Sequence, residues 1–113
     1  MINLSPPRGL SRLFTDITWY VAKAPRTIYL TFDDGPMAGI TDWLLDLLAS
    51  YNAHATFFCL GRNAERYPEL LDRILREGHA VGNHTYSHLR GFQVSTSEYY
   101  QDVLMANDIL RTD

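Results

Sequence analysis

Arg26-Thr27-Ile28-Tyr29-Leu30-Thr31-Phe32-Asp33-Asp34-Gly35-Pro36 reads as a strand with an abrupt end. Its first seven residues are rich in β-branched and aromatic side chains, which favour extended backbone. Two adjacent carboxylates close the run. Gly35 then permits unusual backbone angles, and Pro36 has no N–H to extend the ladder. Consecutive strand residues point to opposite faces, so Asp33 and Asp34 can serve one site only where the strand breaks, and Gly35-Pro36 supplies that break.

Outward from this strand the pattern alternates. Thr41 is an expected N-cap, and Leu44, Leu45, Leu47, Leu48 and Tyr51 recur at helical spacing. Ala55–Leu60 is a continuous apolar run, expected to be a strand buried on both faces and ended by Gly61. Pro68 suits the first turn of a second main helix with Leu70, Leu71, Ile74 and Leu75 inward, and Gly78 suits its end. His79–Asn83 is a third strand candidate. Ser95-Thr96-Ser97-Glu98 has capping-box form and opens a helix bearing Tyr99, Val103, Leu104, Ile109 and Leu110. The expected order is β-α-β-α-β-α, an α/β arrangement of parallel strands joined by right-handed crossovers. Residues 1–26, with Pro6, Pro7 and Pro25, read as an irregular N-terminal extension. It contains a short helical or strand-like patch around Leu10–Val21 holding Leu13, Phe14, Ile17, Trp19 and Tyr20. Residues 27–113 form the domain proper.

The 113 residues are enough for one small domain, and 46% hydrophobic with 20% charged residues fits a globular chain. A net charge of −3 with no Lys/Arg cluster argues against nucleic acid as a partner. The single cysteine, Cys59, rules out an intrachain disulfide framework and reads as a buried thiol. No apolar run approaches the ~18 residues that span a bilayer. Met1–Arg8 lacks the pattern of a signal peptide. The expected location is cytoplasmic as written, or the cell envelope or exterior if a leader lies upstream.

Chemistry concentrates in two places. Besides Asp33-Asp34, the segment Asn83-His84-Thr85-Tyr86-Ser87-His88 places two imidazoles four positions apart, a spacing that brings both to one face of a helical turn. In a parallel α/β sheet, ligands gather at the carboxyl ends of strands, and both segments lie at such ends. Two imidazoles and one carboxylate suit zinc; iron, cobalt and nickel are also compatible. The second Asp, off the metal, is placed to act as a base toward bound water. These parts point to metal-assisted hydrolysis. The rival reading, a two-His-one-carboxylate iron oxygenase, fits poorly with the Asp-Asp turn and with a chain lacking a jelly-roll strand pattern.

Other residues carry weaker expectations. His54 reads as a surface or packing residue, and His79 as capping the second helix or packing below the rim. Trp19 and Trp43 read as core or rim packing in preference to sugar stacking. Tyr86 is a candidate for facing a groove, and Asn83 and Thr85 for orienting the imidazoles. Glu65, Glu69, Asp72, Arg73, Arg76, Glu77, Asp102 and Asp108 read as solvated helix faces.

Thr31–Pro36 and His84–His88, with Ala55-Thr56-Phe57-Phe58 and Gly78–Asn83 between them, resemble the first two motifs of the polysaccharide deacetylases with a NodB-homology domain, carbohydrate esterase family four. The resemblance runs from about Thr27 to Asp113. It implies a partial distorted (β/α) barrel and removal of N- or O-acetyl groups from chitin, peptidoglycan or xylan. It further implies Asp33 as general base, Asp34, His84 and His88 as metal ligands, and a divalent metal, zinc foremost. The family's later motifs, an Arg/Pro strand, an Asp/Trp segment and a Leu-x-His segment bearing the general acid, do not occur in these 113 residues. The chain is therefore expected to be the N-terminal half of the domain in a longer enzyme. Self-association through the open barrel side is the second expectation. A catalytically incomplete half-barrel that binds metal or glycan is the alternative function.

Overall fold

A computed structural model describes residues 13, 15–17 and 26–111. Three short strands, β1 (Thr31–Asp33), β2 (Thr56–Cys59) and β3 (Ala80–Asn83), form a parallel sheet in the order β1-β2-β3. Four helices join or follow them: α1 (Ile40–Ser50), α2 (Gly61–Arg66), α3 (Pro68–Arg76) and α4 (Thr96–Leu110). The α/β class and the parallel strands are as the alternation implies. The element order differs, because α2 is an extra helix between β2 and α3. Gly61 opens that helix directly from the strand, with Leu60 as its extended N-cap. Pro68 then starts α3 at its first position.

In register, Phe32 lies beside Phe57 and Phe57 beside Val81, forming one row across the sheet. This row faces the helices, where Leu45, Leu48, Phe57, Cys59, Ile74 and Ala106 make the core. The next row, Asp33, Phe58 and Gly82, points to the other face by strand parity. Phe58 and Gly82 are half-buried, as no layer covers them among the described residues. Ala55–Leu60 is thus sealed on one face only, correcting the expectation of burial on both. The first strand is also shorter than expected. Leu30 still accepts a hydrogen bond from Thr56 N–H at 3.0 Å. Upstream of it, β2 has turned into its loop and offers no ladder, so 27–30 stay outside the strand and exposed.

Helix α1 starts one residue before Thr41, with Gly39 as N-cap at φ 81°. Thr41 lies inside the first turn, buried, and its Oγ1 accepts Met37 N–H at 2.8 Å. The hydroxyl serves the turn leading into the helix, and Asp42 caps instead by accepting Gly39 N–H at 3.2 Å. Gly78, at φ 83°, follows α3 as expected. Ser95 and Glu98 exchange capping hydrogen bonds at the start of α4, with Ser95 Oγ accepting Glu98 N–H at 3.3 Å and Glu98 accepting Ser95 N–H at 2.8 Å.

Arg73 and Trp43 depart from expectation. Arg73 is largely covered and is gripped by Asp42 and Asp46 of α1 and by Glu77 on its own helix, so it clamps α3 to α1. Hydrogen bonds to Asp46 and then Glu77 drive its pKa further up. Trp43, expected to pack, is 62% exposed, because the buried stripe of α1 runs through Thr41, Leu45 and Leu48. Trp19 and most of the segment 1–26 lie outside the described residues.

Candidate metal centre

Asp34 leaves β1 at φ 67°, a left-handed conformation costly for a non-glycine residue. The turn separates its carboxylate from that of Asp33, which stays on the strand and faces the open side of the sheet by parity. Gly35 O accepts Leu60 N–H at 2.9 Å, and Asp34 O accepts Asn63 Nδ2–H at 2.7 Å. The broken end of β1 is thereby tied to the start of α2.

The same start of α2 holds the other segment. Gly61 N–H donates to Thr85 O at 2.9 Å and Arg62 N–H to Tyr86 O at 3.3 Å. Residues 84–90 form no helix, so the helical turn expected for His84 and His88 is replaced by a bent loop. Thr85 (φ 68°) and His88 (φ 63°) are left-handed, and both rings reach the Asp34 carboxylate. The rings stand at 63° with centroids 5.2 Å apart.

Asp34 Oδ1 lies 3.2 Å from His84 Nε2 and 3.1 Å from His88 Nε2. All three ligand atoms fall within 4.8 Å of one another. Metal–nitrogen and metal–oxygen bonds of about 2.0–2.1 Å at tetrahedral angles place ligand atoms roughly 3.3 Å apart. The spacing therefore fits one divalent cation. The three side chains are partly exposed, so the cluster opens to solvent.

Neighbouring residues take roles that differ from expectation. Asn83 and Thr85 do not bond the rings. Asn83 Oδ1 accepts Thr85 N–H at 2.8 Å, its Nδ2–H donates to Val103 O at 2.9 Å, and Thr85 Oγ1 accepts His88 N–H at 3.0 Å. They shape the backbone that carries the rings. Tyr86 does not face a groove. Its ring packs against the core and its hydroxyl donates to Glu65 at 2.8 Å, a bond that, with some desolvation, raises the phenol pKa. Asp102, expected to be solvated, is buried and bonds the loop. The signal was present in the sequence: Asp102, Ala106 and Leu110 are the buried residues of α4 and recur every four positions. A carboxylate on an apolar stripe needs a buried partner.

His54 and His79 sit at the opposite end of the sheet, before β2 and β3. His79 packs below the strands, where Nδ1 accepts Ala55 N–H at 3.2 Å. Burial, then the charge of His54, lowers its pKa despite Glu77 nearby. Cys59 is fully buried, which pushes its thiol up to about 11.

The polysaccharide deacetylase family profile matches residues 20–112, and the chain belongs to that family. It is 47% identical over 83 residues to a peptidoglycan-N-acetylglucosamine deacetylase of Bacillus cereus, covering 74% of this chain and 30% of that protein. It is 40% identical over 112 residues to a chitooligosaccharide deacetylase of Bradyrhizobium, covering 99% and 49%. The solved peptidoglycan deacetylase PdaC from Bacillus subtilis superposes with a TM-score of 0.72 at 45% identity, covering 74% and 42%. A family 4 acetyl xylan esterase from Clostridium thermocellum, solved with a cobalt ion, superposes at 0.68 with 31% identity, covering 73% and 40%. The chain thus spans less than half the length of these relatives.

Proposed function

We propose that this chain carries the metal-binding and base-bearing half of a hydrolase that removes acetyl groups from N- or O-acetylated polysaccharide. The observation that carries the reading is the convergence of Asp34 Oδ1, His84 Nε2 and His88 Nε2 from two strand ends. Zinc fits this donor set, as do cobalt, nickel and iron. The cobalt of the acetyl xylan esterase supports a divalent ion. A bound divalent ion lowers the pKa of its water to about 7 and polarises a carbonyl oxygen. Asp34, His84 and His88 would hold the ion. Asp33, the neighbouring carboxylate on the open face, takes the proton from the attacking water. Peptidoglycan and chitooligosaccharide are the substrate classes of the relatives named above, and they set the first substrates to try.

A second reading, binding without turnover, draws on one observation. The chain has four histidines, and the two outside the ligand set lie at the far end of the sheet, leaving no imidazole to protonate a leaving amine. Acetate release from N-acetylated chitooligosaccharide and from peptidoglycan, with zinc or cobalt added, separates the two. Release that disappears in Asp33→Asn establishes the hydrolase. Metal-dependent glycan binding with no acetate establishes the binding module. Neither binding nor release would sink both.

A further inference from the structure

We infer that Asp102 is a positioning residue that sets the geometry of the two metal-binding imidazoles by clamping the backbone between them. The inference rests on the metal reading of Asp34, His84 and His88 and goes beyond it. Asp102 lies on α4 and bonds the stretch between the two histidines, with no hydrogen bond to either ring.

Its carboxylate meets three donors of the ligand loop. Oδ2 accepts Tyr86 N–H at 2.8 Å and Ser87 N–H at 2.9 Å, and Oδ1 accepts the Ser87 hydroxyl at 2.7 Å. Asp102 is 9% exposed, and no cation pairs with it among the described residues. Successive backbone N–H groups directed at one anion form an anion-holding concavity. Here the anion belongs to the protein and the concavity is the stretch that joins His84 to His88.

The loop needs such a clamp. Thr85 and His88 both hold left-handed backbone angles, and β-branched threonine rarely adopts them. Conformations of this kind persist only where the surroundings over-determine them. The neighbouring residue of α4 adds a second tie. Val103 O accepts Asn83 Nδ2–H, Asn83 Oδ1 accepts Thr85 N–H, and Thr85 Oγ1 accepts His88 N–H. One turn of α4 therefore references both ends of the ligand loop. Close packing brings this turn near: a Cβ on Gly61 would lie 2.8 Å from the Tyr86 ring and 2.9 Å from Ala106 Cα. Asp102→Ala would satisfy the helix but leave two half-buried amides and a hydroxyl without their acceptor.

The test is titration of the full chain with Co(II), followed by visible absorption of the bound ion. His84→Ala is the control for the metal reading, and urea unfolding of each metal-free variant runs in parallel. Asp102→Ala should weaken Co(II) binding by about 10- to 100-fold, the usual effect of losing a residue that orients ligands, and should alter the cobalt spectrum. Asp102→Asn, which keeps one acceptor oxygen, and Ser87→Ala, which removes one donor, should fall between wild type and Asp102→Ala. Wild-type affinity and spectrum in Asp102→Ala, with only a lower urea midpoint, would overturn the inference and leave the metal reading intact. If Asp102→Ala does not fold, wild-type affinity in both Asp102→Asn and Ser87→Ala overturns it. No Co(II) binding by the wild type, or undiminished binding by His84→Ala, overturns the metal reading and this inference with it.

Discussion

Replacing Gly61 by alanine tests whether the joint between β2 and α2 is as tight as the structure makes it. The added Cβ would stand 2.8 Å from Tyr86 Cδ2, 2.9 Å from Ala106 Cα and 3.0 Å from Ala106 Cβ. Tyr86 can swing only by giving up its bond to Glu65. The Ala106 atoms belong to the backbone and first carbon of α4, so they move only with the helix. Overpacking of this kind costs about 1–3 kcal/mol. The better helix propensity of alanine returns up to about 1 kcal/mol, less at a first helical position. A net loss of about 2 kcal/mol with a urea m-value of about 1.5 kcal/mol per molar lowers the midpoint by roughly 1.3 M. The assay is urea unfolding followed by far-UV circular dichroism. Gly39→Ala provides the contrast, because nothing lies within 4 Å of its new Cβ and only the positive φ resists. Its loss should be about 1–2 kcal/mol with no change at the metal loop. An unchanged or raised midpoint in Gly61→Ala would refute the packing argument.

Asp33→Asn should bind zinc or cobalt like the wild type and lose acetate release by at least about 100-fold; loss of metal in the variant would make Asp33 a ligand. His79 is held neutral, by burial first and by His54 second, so its folded pKa lies below the ordinary value of about 6.5. Its contribution to stability is full above pH 6.5 and is lost as pH falls from there to the folded pKa, because the unfolded state takes up the proton first. The urea midpoint should drop between pH 7.5 and 5.5, and less steeply in His79→Asn; equal slopes would contradict this. Cys59 should resist a thiol reagent at pH 8 until urea unfolds the chain, and rapid labelling of the native protein would show that the β2 core opens.

Much of this fold can be read along the chain because its signals are local. Pro68, Gly78 and the Ser95–Glu98 box act within one turn, and each element boundary they mark lies where the residues place it. The acid pair and the two histidines were legible for a similar reason, as residue types set at strand ends. What the chain hid depends on distant partners. Gly61 looks like a strand stop until Thr85 and Tyr86 supply acceptors for the N–H groups of a helix beginning there. Arg73 and Asp102 look like solvent-facing charges until Asp46 of α1 and the amides of residues 86 and 87 come into range. The two histidines meet through left-handed backbone at Thr85 and His88, a conformation that neither residue type announces.

Two imidazoles and one carboxylate of this chain are proposed to meet on a single cation. X-ray absorption at the zinc edge of the zinc-loaded protein reads that coordination shell. The expected shell holds nitrogen and oxygen neighbours at about 2.0–2.1 Å with the scattering signature of two imidazoles and no sulfur. A shell with sulfur at about 2.3 Å, or one lacking imidazole, would contradict it.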